Sequence, residues 1–85
     1  MTQTIKSRVF DFIESNGGKL RRTEIVRFVV EQIHNRPYNP IRDRGEYCGA
    51  FQVQRNYGGA YFLRPSKNDP RYLRKESDGL YHLYK

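Results

Sequence analysis

Eight cationic side chains lie between residues 42 and 75: Arg42, Arg44, Arg55, Arg64, Lys67, Arg71, Arg74 and Lys75. An arginine offers five donors in a fixed fork whose geometry matches the oxygens of a phosphate. Any one of these residues also reads as an ordinary solvated charge. As a set, they form a clamp suited to a polyanion.

Within this set lies a stretch, residues 46–54, whose only charge is Glu46. It opens a run with a different chemistry. Gln and Asn side chains bond adenine through two hydrogen bonds, and glycine lets a backbone approach closely. Gly49, Gln52 and Asn56 are the candidates here. The competing reading is that Gln52 and Asn56 are exposed polar residues and nothing more.

The aromatic residues form a third group. Tyr47, Phe51, Tyr57, Tyr61, Phe62, Tyr72, Tyr81 and Tyr84 interleave with the arginines. Such rings stack on unpaired bases, but tyrosine is equally at home packing in a small sheet. Packing is the simpler account.

Catalytic chemistry finds little to stand on. His34 and His82 are the only histidines and have no motif around them that would make an acid–base pair. Tyr57-Gly58-Gly59 lacks the Lys and Ser/Thr of a phosphate-binding loop. Cys48 sits among apolar neighbours and reads as core. One cysteine and two histidines give no zinc spacing and no internal disulfide. We therefore expect no metal, no cofactor and no enzymatic activity.

These side chains ride on 85 residues, enough for one domain, residues 1–85, with a modest core. The net charge is +7, which attracts polyanions. Its distribution is uneven. Residues 1–18 are neutral, residues 19–45 carry +4, residues 46–54 carry −1 and residues 55–85 carry +4. Phosphate contacts flanking a less charged reading element would have this layout. No apolar run is long enough to span a membrane. The N-terminal residues lack the apolar core of a signal peptide, and a lone thiol fits a cytoplasmic protein.

The elements that must position the candidates are legible in part. Ile5, Val9, Phe12 and Ile13 predict a helix over 4–15, capped by Thr2 or Thr4 and stopped at Asn16-Gly17-Gly18. Residues 19–21 form a connector or a brief strand. Thr23 reads as the cap of a second, strongly apolar helix over 24–34. Pro37 and Pro40 make 35–43 an ordered loop. Residues 45–56 predict a third helix, with Tyr47, Cys48 and Phe51 inward and Gly49, Gln52, Val53 and Asn56 outward. The alternation around Phe51 also permits a strand. Residues 60–63 read as a short extended piece. Residues 71–76 and 80–84 read as a hairpin joined by Ser77-Asp78-Gly79.

This order of elements resembles the winged helix-turn-helix family of DNA-binding domains. The resemblance rests on that order, on Gly17-Gly18-Lys19-Leu20-Arg21-Arg22-Thr23-Glu24-Ile25-Val26 leading into the second helix, and on the C-terminal hairpin. It spans nearly the whole chain. The loop at 35–44 and the stretch from Tyr57 to Pro70 are longer than that family uses. The segment from Tyr61 to Leu73 is also similar to small proteins of tailed phages. The resemblance implies an α+β fold of three helices with a C-terminal hairpin. It implies a third helix entering the major groove, and a wing at Arg74 and Lys75 meeting the DNA backbone. The expected partner is double-stranded DNA. A protein partner or a homodimer is the second expectation, and RNA bound through the tyrosines the third.

Overall fold

The first helix forms because its apolar residues fall on one side and both its ends are satisfied. The computed structural model describes residues 4–45, 47–51 and 61–85. Helix α1 runs Ile5–Ser15, and the Thr4 hydroxyl accepts a hydrogen bond from the Ser7 N–H at 3.0 Å. Its end is closed by Gly18, whose N–H donates to the Ile13 carbonyl at 2.9 Å. Strand β1, Lys19–Leu20, follows at once.

Helix α2 spans Arg22–Phe28 and continues as a wider π-helical turn over Val29–Ile33. The expected cap, Thr23, is not the cap. The helix begins two residues earlier, at an extended Arg21 whose own N–H donates to Glu24 Oε2 at 3.2 Å. At its far end the His34 N–H reaches back five residues to the Val29 carbonyl at 2.9 Å.

The C-terminal hairpin stands where the alternation predicts it. Strands β2, Tyr72–Lys75, and β3, Tyr81–Tyr84, pair antiparallel with Leu73 opposite Leu83. Strand β1 joins the free edge of β3, with Leu20 opposite Tyr81, giving a three-stranded antiparallel sheet in the order β1-β3-β2. The turn is closed by Gly79 at φ 82°, whose N–H donates to the Glu76 carbonyl at 3.0 Å. Asp78 Oδ1 accepts the Leu80 N–H at 2.9 Å. A Cβ on Gly79 would meet nothing within 4 Å. The cost of a substitution there is therefore backbone strain alone. Gly79→Val should destabilise the domain by about 1–2 kcal/mol, and Gly79→Asn by less. An unchanged thermal melt for the valine variant would show that the turn does not need the left-handed conformation.

Two expectations need correction. Among the described residues there are two helices, not three. The segment predicted as a third helix contributes one 3₁₀ turn, Cys48–Phe51, preceded by Tyr47 at φ 59°, a conformation that no α-helix can include. The rest of that segment, residues 52–56, lies outside the described residues. Tyr61–Leu63, expected to be extended, is a second 3₁₀ turn. It directs Phe62 into the core.

The core gathers Val9, Phe10 and Ile13 of α1, then Ile25, Val26, Val29 and Val30 of α2 and its extension. Phe51, Phe62, Leu73 and Tyr81 close it from the turns and the sheet. Phe62 sits at its centre, with ring centroids 6.3 Å from Phe10 and 5.2 Å from Phe51. Phe12 and Phe28 stack outside it at 4.1 Å and tie the two helices together.

Candidate nucleic-acid interface

The cations divide into those bonded to carboxylates within the fold and those turned to solvent. Arg71 belongs to the first group. Its guanidinium meets Asp69 at 2.8 Å, Asp11 at 2.8 Å and Glu14 at 3.1 Å, with the side chain only 13% exposed. It also lies over the Phe10 ring, 5.5 Å from the centroid. This is a staple between the residue that leads into β2 and helix α1, made of one fork and three carboxylates. The Arg71 fork holds the Asp69 carboxyl below the ordinary carboxylate range, against the opposing effect of burial. The Arg71 guanidinium is in turn held more firmly protonated. A phosphate would have to compete with these partners.

Arg42 is engaged in a similar way. Asp43, 1% exposed, accepts from Arg36 Nη1 at 2.9 Å, from Arg42 at 3.2 Å and from the Asn39 N–H at 2.9 Å. Arg42 also donates to the Pro37 carbonyl at 2.8 Å. The Arg42 bonds, followed by the Asn39 N–H, pull the Asp43 carboxyl well below its usual range. The outer part of the Arg42 guanidinium still faces solvent.

The exposed group comprises Arg44, Arg64, Lys67, Arg74 and Lys75. Arg74 and Lys75 are adjacent on β2 and so leave the strand on opposite faces, both solvated, at the turn end of the hairpin. Arg74 has one loose neighbour, Glu76, at 3.7 Å. Arg64 and Lys67 lie on the turn between the second 3₁₀ segment and β2. The Arg64 carbonyl accepts from the buried Lys6 ammonium, which lies over the Phe10 and Tyr61 rings. Burial moves Lys6 below its ordinary value, Asp69 opposing that shift. Of the reading-element residues, Gly49 is half-buried rather than outward. Gln52, Arg55 and Asn56 lie outside the described residues.

The described tyrosines of the C-terminal half mainly pack. Tyr81 is buried against Phe51, Tyr72 stacks on Tyr84 across the hairpin at 5.7 Å, and Tyr47 stacks on His34 at 5.8 Å. Tyr61 is the exposed one. The two histidines have separate partners: His34 bonds the Tyr47 hydroxyl and His82 bonds Asp78 at 2.8 Å. Among the described residues no group of three His, Cys, Asp or Glu is placed to hold a metal. No helix among them is long and apolar enough to cross a membrane.

Sequence reasoning overlooked Asp43 and Asp69, the acceptors that determine which arginines remain outward. A signal existed for the first. Asn39-Pro40 followed four residues on by Asp43 is turn chemistry, and the Asn39 side chain does accept the Ile41 and Arg42 N–H groups, at 2.9 and 3.1 Å. Comparison of the chain with known protein families, with curated proteins and with solved structures finds no match.

Proposed function

We propose that this small α+β protein is a winged-helix-type, non-enzymatic binder of duplex DNA, acting as a small regulator or a DNA-packaging accessory. One observation carries the reading. The brief strand between the two helices pairs with the last strand of a three-stranded sheet, and in this reading the β2–β3 hairpin, with Arg74 and Lys75 exposed near its turn, serves as the wing. In chain order, residues 45–56 correspond to the third helix of that family, although the described part of the segment is a single 3₁₀ turn. In this reading Gln52 and Asn56 address base edges, while Arg44, Arg64, Lys67, Arg74 and Lys75 address phosphates. Arg42 contributes only its outer face, and Arg71 serves the fold. The packed tyrosines weigh against a single-strand binder that stacks bases.

A second reading, a protein-docking module, is favoured by a groove of about 560 Å³ whose apolar floor is Phe12, Leu20 and Phe28. Salt separates the two. Each cation on a phosphate releases counterions, so DNA affinity falls steeply with ionic strength, whereas apolar docking does not. Titration against random duplex DNA at two salt concentrations should show that fall, and duplex should outcompete single-stranded RNA. Arg74→Ala with Lys75→Ala should weaken binding to all sequences alike and flatten the log–log salt slope by up to about two units. An unaltered slope and affinity would remove the hairpin from the interface.

A further inference from the structure

The loop joining α2 to the first 3₁₀ turn is built to a degree that a plain connector does not require. Its ends are brought together: His34 at its start stacks on and bonds Tyr47 at its end. Tyr47 holds a left-handed conformation at φ 59°, a strain that persists only where the surroundings impose it; Asn35, also at φ 59°, ends the helix as asparagine commonly does. Inside, the buried Asp43 carboxylate collects Arg36, Arg42 and the Asn39 N–H, and the Asp43 N–H donates back to the Asn39 carbonyl at 2.8 Å. Arg22, lying over the Phe51 ring, ties the far limb down by donating to the Arg44 carbonyl at 3.4 Å. A compact surface loop with touching ends and its own internal packing is an Ω-loop, a form frequently tied to function.

This bracing holds the backbone that carries one exposed apolar side chain. Ile41, which follows Pro40, is 84% exposed, the most exposed large apolar residue among those described. Two cations follow it closely in the chain: Arg42, whose side chain is about half exposed, and the exposed Arg44. We propose that the loop is a second DNA contact, entering the minor groove with Ile41 as an apolar wedge between base pairs and with Arg42 and Arg44 along the groove walls. The inference rests on the duplex-binding reading above and adds a site and a deformation to it.

Three considerations favour this ligand. An aliphatic wedge flanked by cations is how proteins open a base step from the minor groove, partly unstacking it and bending the duplex. That groove is about 6 Å wide and bordered by phosphates on both sides, which suits a narrow loop that carries one exposed aliphatic residue and two nearby guanidinium groups. Unstacking costs free energy, so the loop must not also lose entropy on binding, and the Asp43 brace has already removed that entropy. A second copy of the chain is a poorer occupant, since two bodies of net charge +7 repel.

The test uses the full chain with a duplex carrying a fluorophore at each end, in one version with a central TA step and in another with a stiff A-tract. Energy transfer reports bending and titration reports affinity. The wild-type protein should bend the duplex and prefer the TA version, where kinking is cheapest. Ile41→Ala should keep its melting temperature, bend the duplex much less and bind about 10- to 100-fold more weakly, the loss expected for leaving an isoleucine side chain unburied. Arg44→Ala should lower the salt slope by about one unit. Tight binding without bending, or equal bending by Ile41→Ala, overturns the wedge and leaves duplex binding intact. No duplex binding at any salt overturns both. Unaltered DNA binding by Ile41→Ala, with loss of a concentration-dependent shift in sedimentation, overturns the wedge in favour of a self-docking loop.

Discussion

Phe62→Ala is expected to remove a large share of the domain's stability. Emptying a buried phenylalanine site costs about 3–5 kcal/mol. A domain of 85 residues has about 4–13 kcal/mol in total, at 0.05–0.15 kcal/mol per residue. The position makes the upper part of the mutational range the expected one. Phe62 is fully buried, and rings from four other places in the chain surround it: Phe10, Tyr47, Phe51 and Tyr61. Those rings come from α1, from the end of the Ω-loop and from the two 3₁₀ turns. Only Phe10 sits in a long regular element; Tyr47, Phe51 and Tyr61 come from a loop and short turns that the Phe62 ring links to one another. Collapse to fill the void would pull the turns away from α1. Phe62→Leu keeps most of the volume and should lose roughly 1–1.5 kcal/mol. Urea unfolding followed by circular dichroism compares the two, and an alanine variant within about 1 kcal/mol of wild type would mean that Phe62 does not organise the core.

Why Phe62 escaped notice as a central residue bears on what this sequence makes legible. Patterns of period 3.6 or 2 reveal elements long enough to repeat them. Thus α1, with its Thr4 cap and glycine stop, and the hairpin with its left-handed Gly79 were readable from local chemistry. The start of α2 was not. Thr23 looks like a cap in isolation, but Glu24 accepts the Arg21 N–H, and so the helix opens two residues sooner. Its π-helical end depends on how Val29 and Val30 seat against the core, which leaves no periodic mark. A single 3₁₀ turn carries no repeat either. That is why Tyr61–Leu63 read as extended and Cys48–Phe51 as part of a longer helix over 45–56.

The candidate site divides the same way. Basic charge is visible in composition, but which arginines remain outward is decided by partners distant in sequence. Asp11 and Arg71 are separated by 60 positions, and no local pattern announces their meeting. The preorganised loop is an intermediate case. Its turn residues are legible, whereas the burial of Asp43 and the exposure of Ile41 are properties of the packed chain.

Arg71→Met should be the most damaging change at a charged residue, by roughly 2–4 kcal/mol, somewhat below the 3–5 kcal/mol typical of breaking a fully buried pair. The methionine retains much of the aliphatic contact with Phe10 but removes every charged donor. Asp11 and Glu14 are about half exposed and rehydrate. Asp69 cannot do so, since it is 9% exposed and its other nearby cation is Lys6. Its uncompensated carboxylate accounts for most of the loss. Acid titration then gives the signature. In the wild-type protein Arg71 holds the Asp69 carboxyl below its unfolded value, so this contribution is full above about pH 4, the ordinary aspartate range. It is lost as pH falls through the folded-state value. In Arg71→Met the largest downward pull on the Asp69 carboxyl is gone, leaving burial opposed only by the residue-71 backbone N–H and Lys6. The variant thus takes up a proton at Asp69 at a higher pH than the wild type and relieves its buried charge. The stability gap between the two proteins should therefore narrow as pH is lowered from 7 towards 3. Adding Asp69→Asn removes the charge while keeping an acceptor for the Arg71 backbone N–H, now that of Met, which Asp69 Oδ1 receives at 3.0 Å. The double variant should regain part of the loss at pH 7 and show little change in its deficit with pH. A gap that stays constant from pH 7 to 3 in the single variant would mean that packing over Phe10, rather than the Asp69 charge, is what Arg71 contributes.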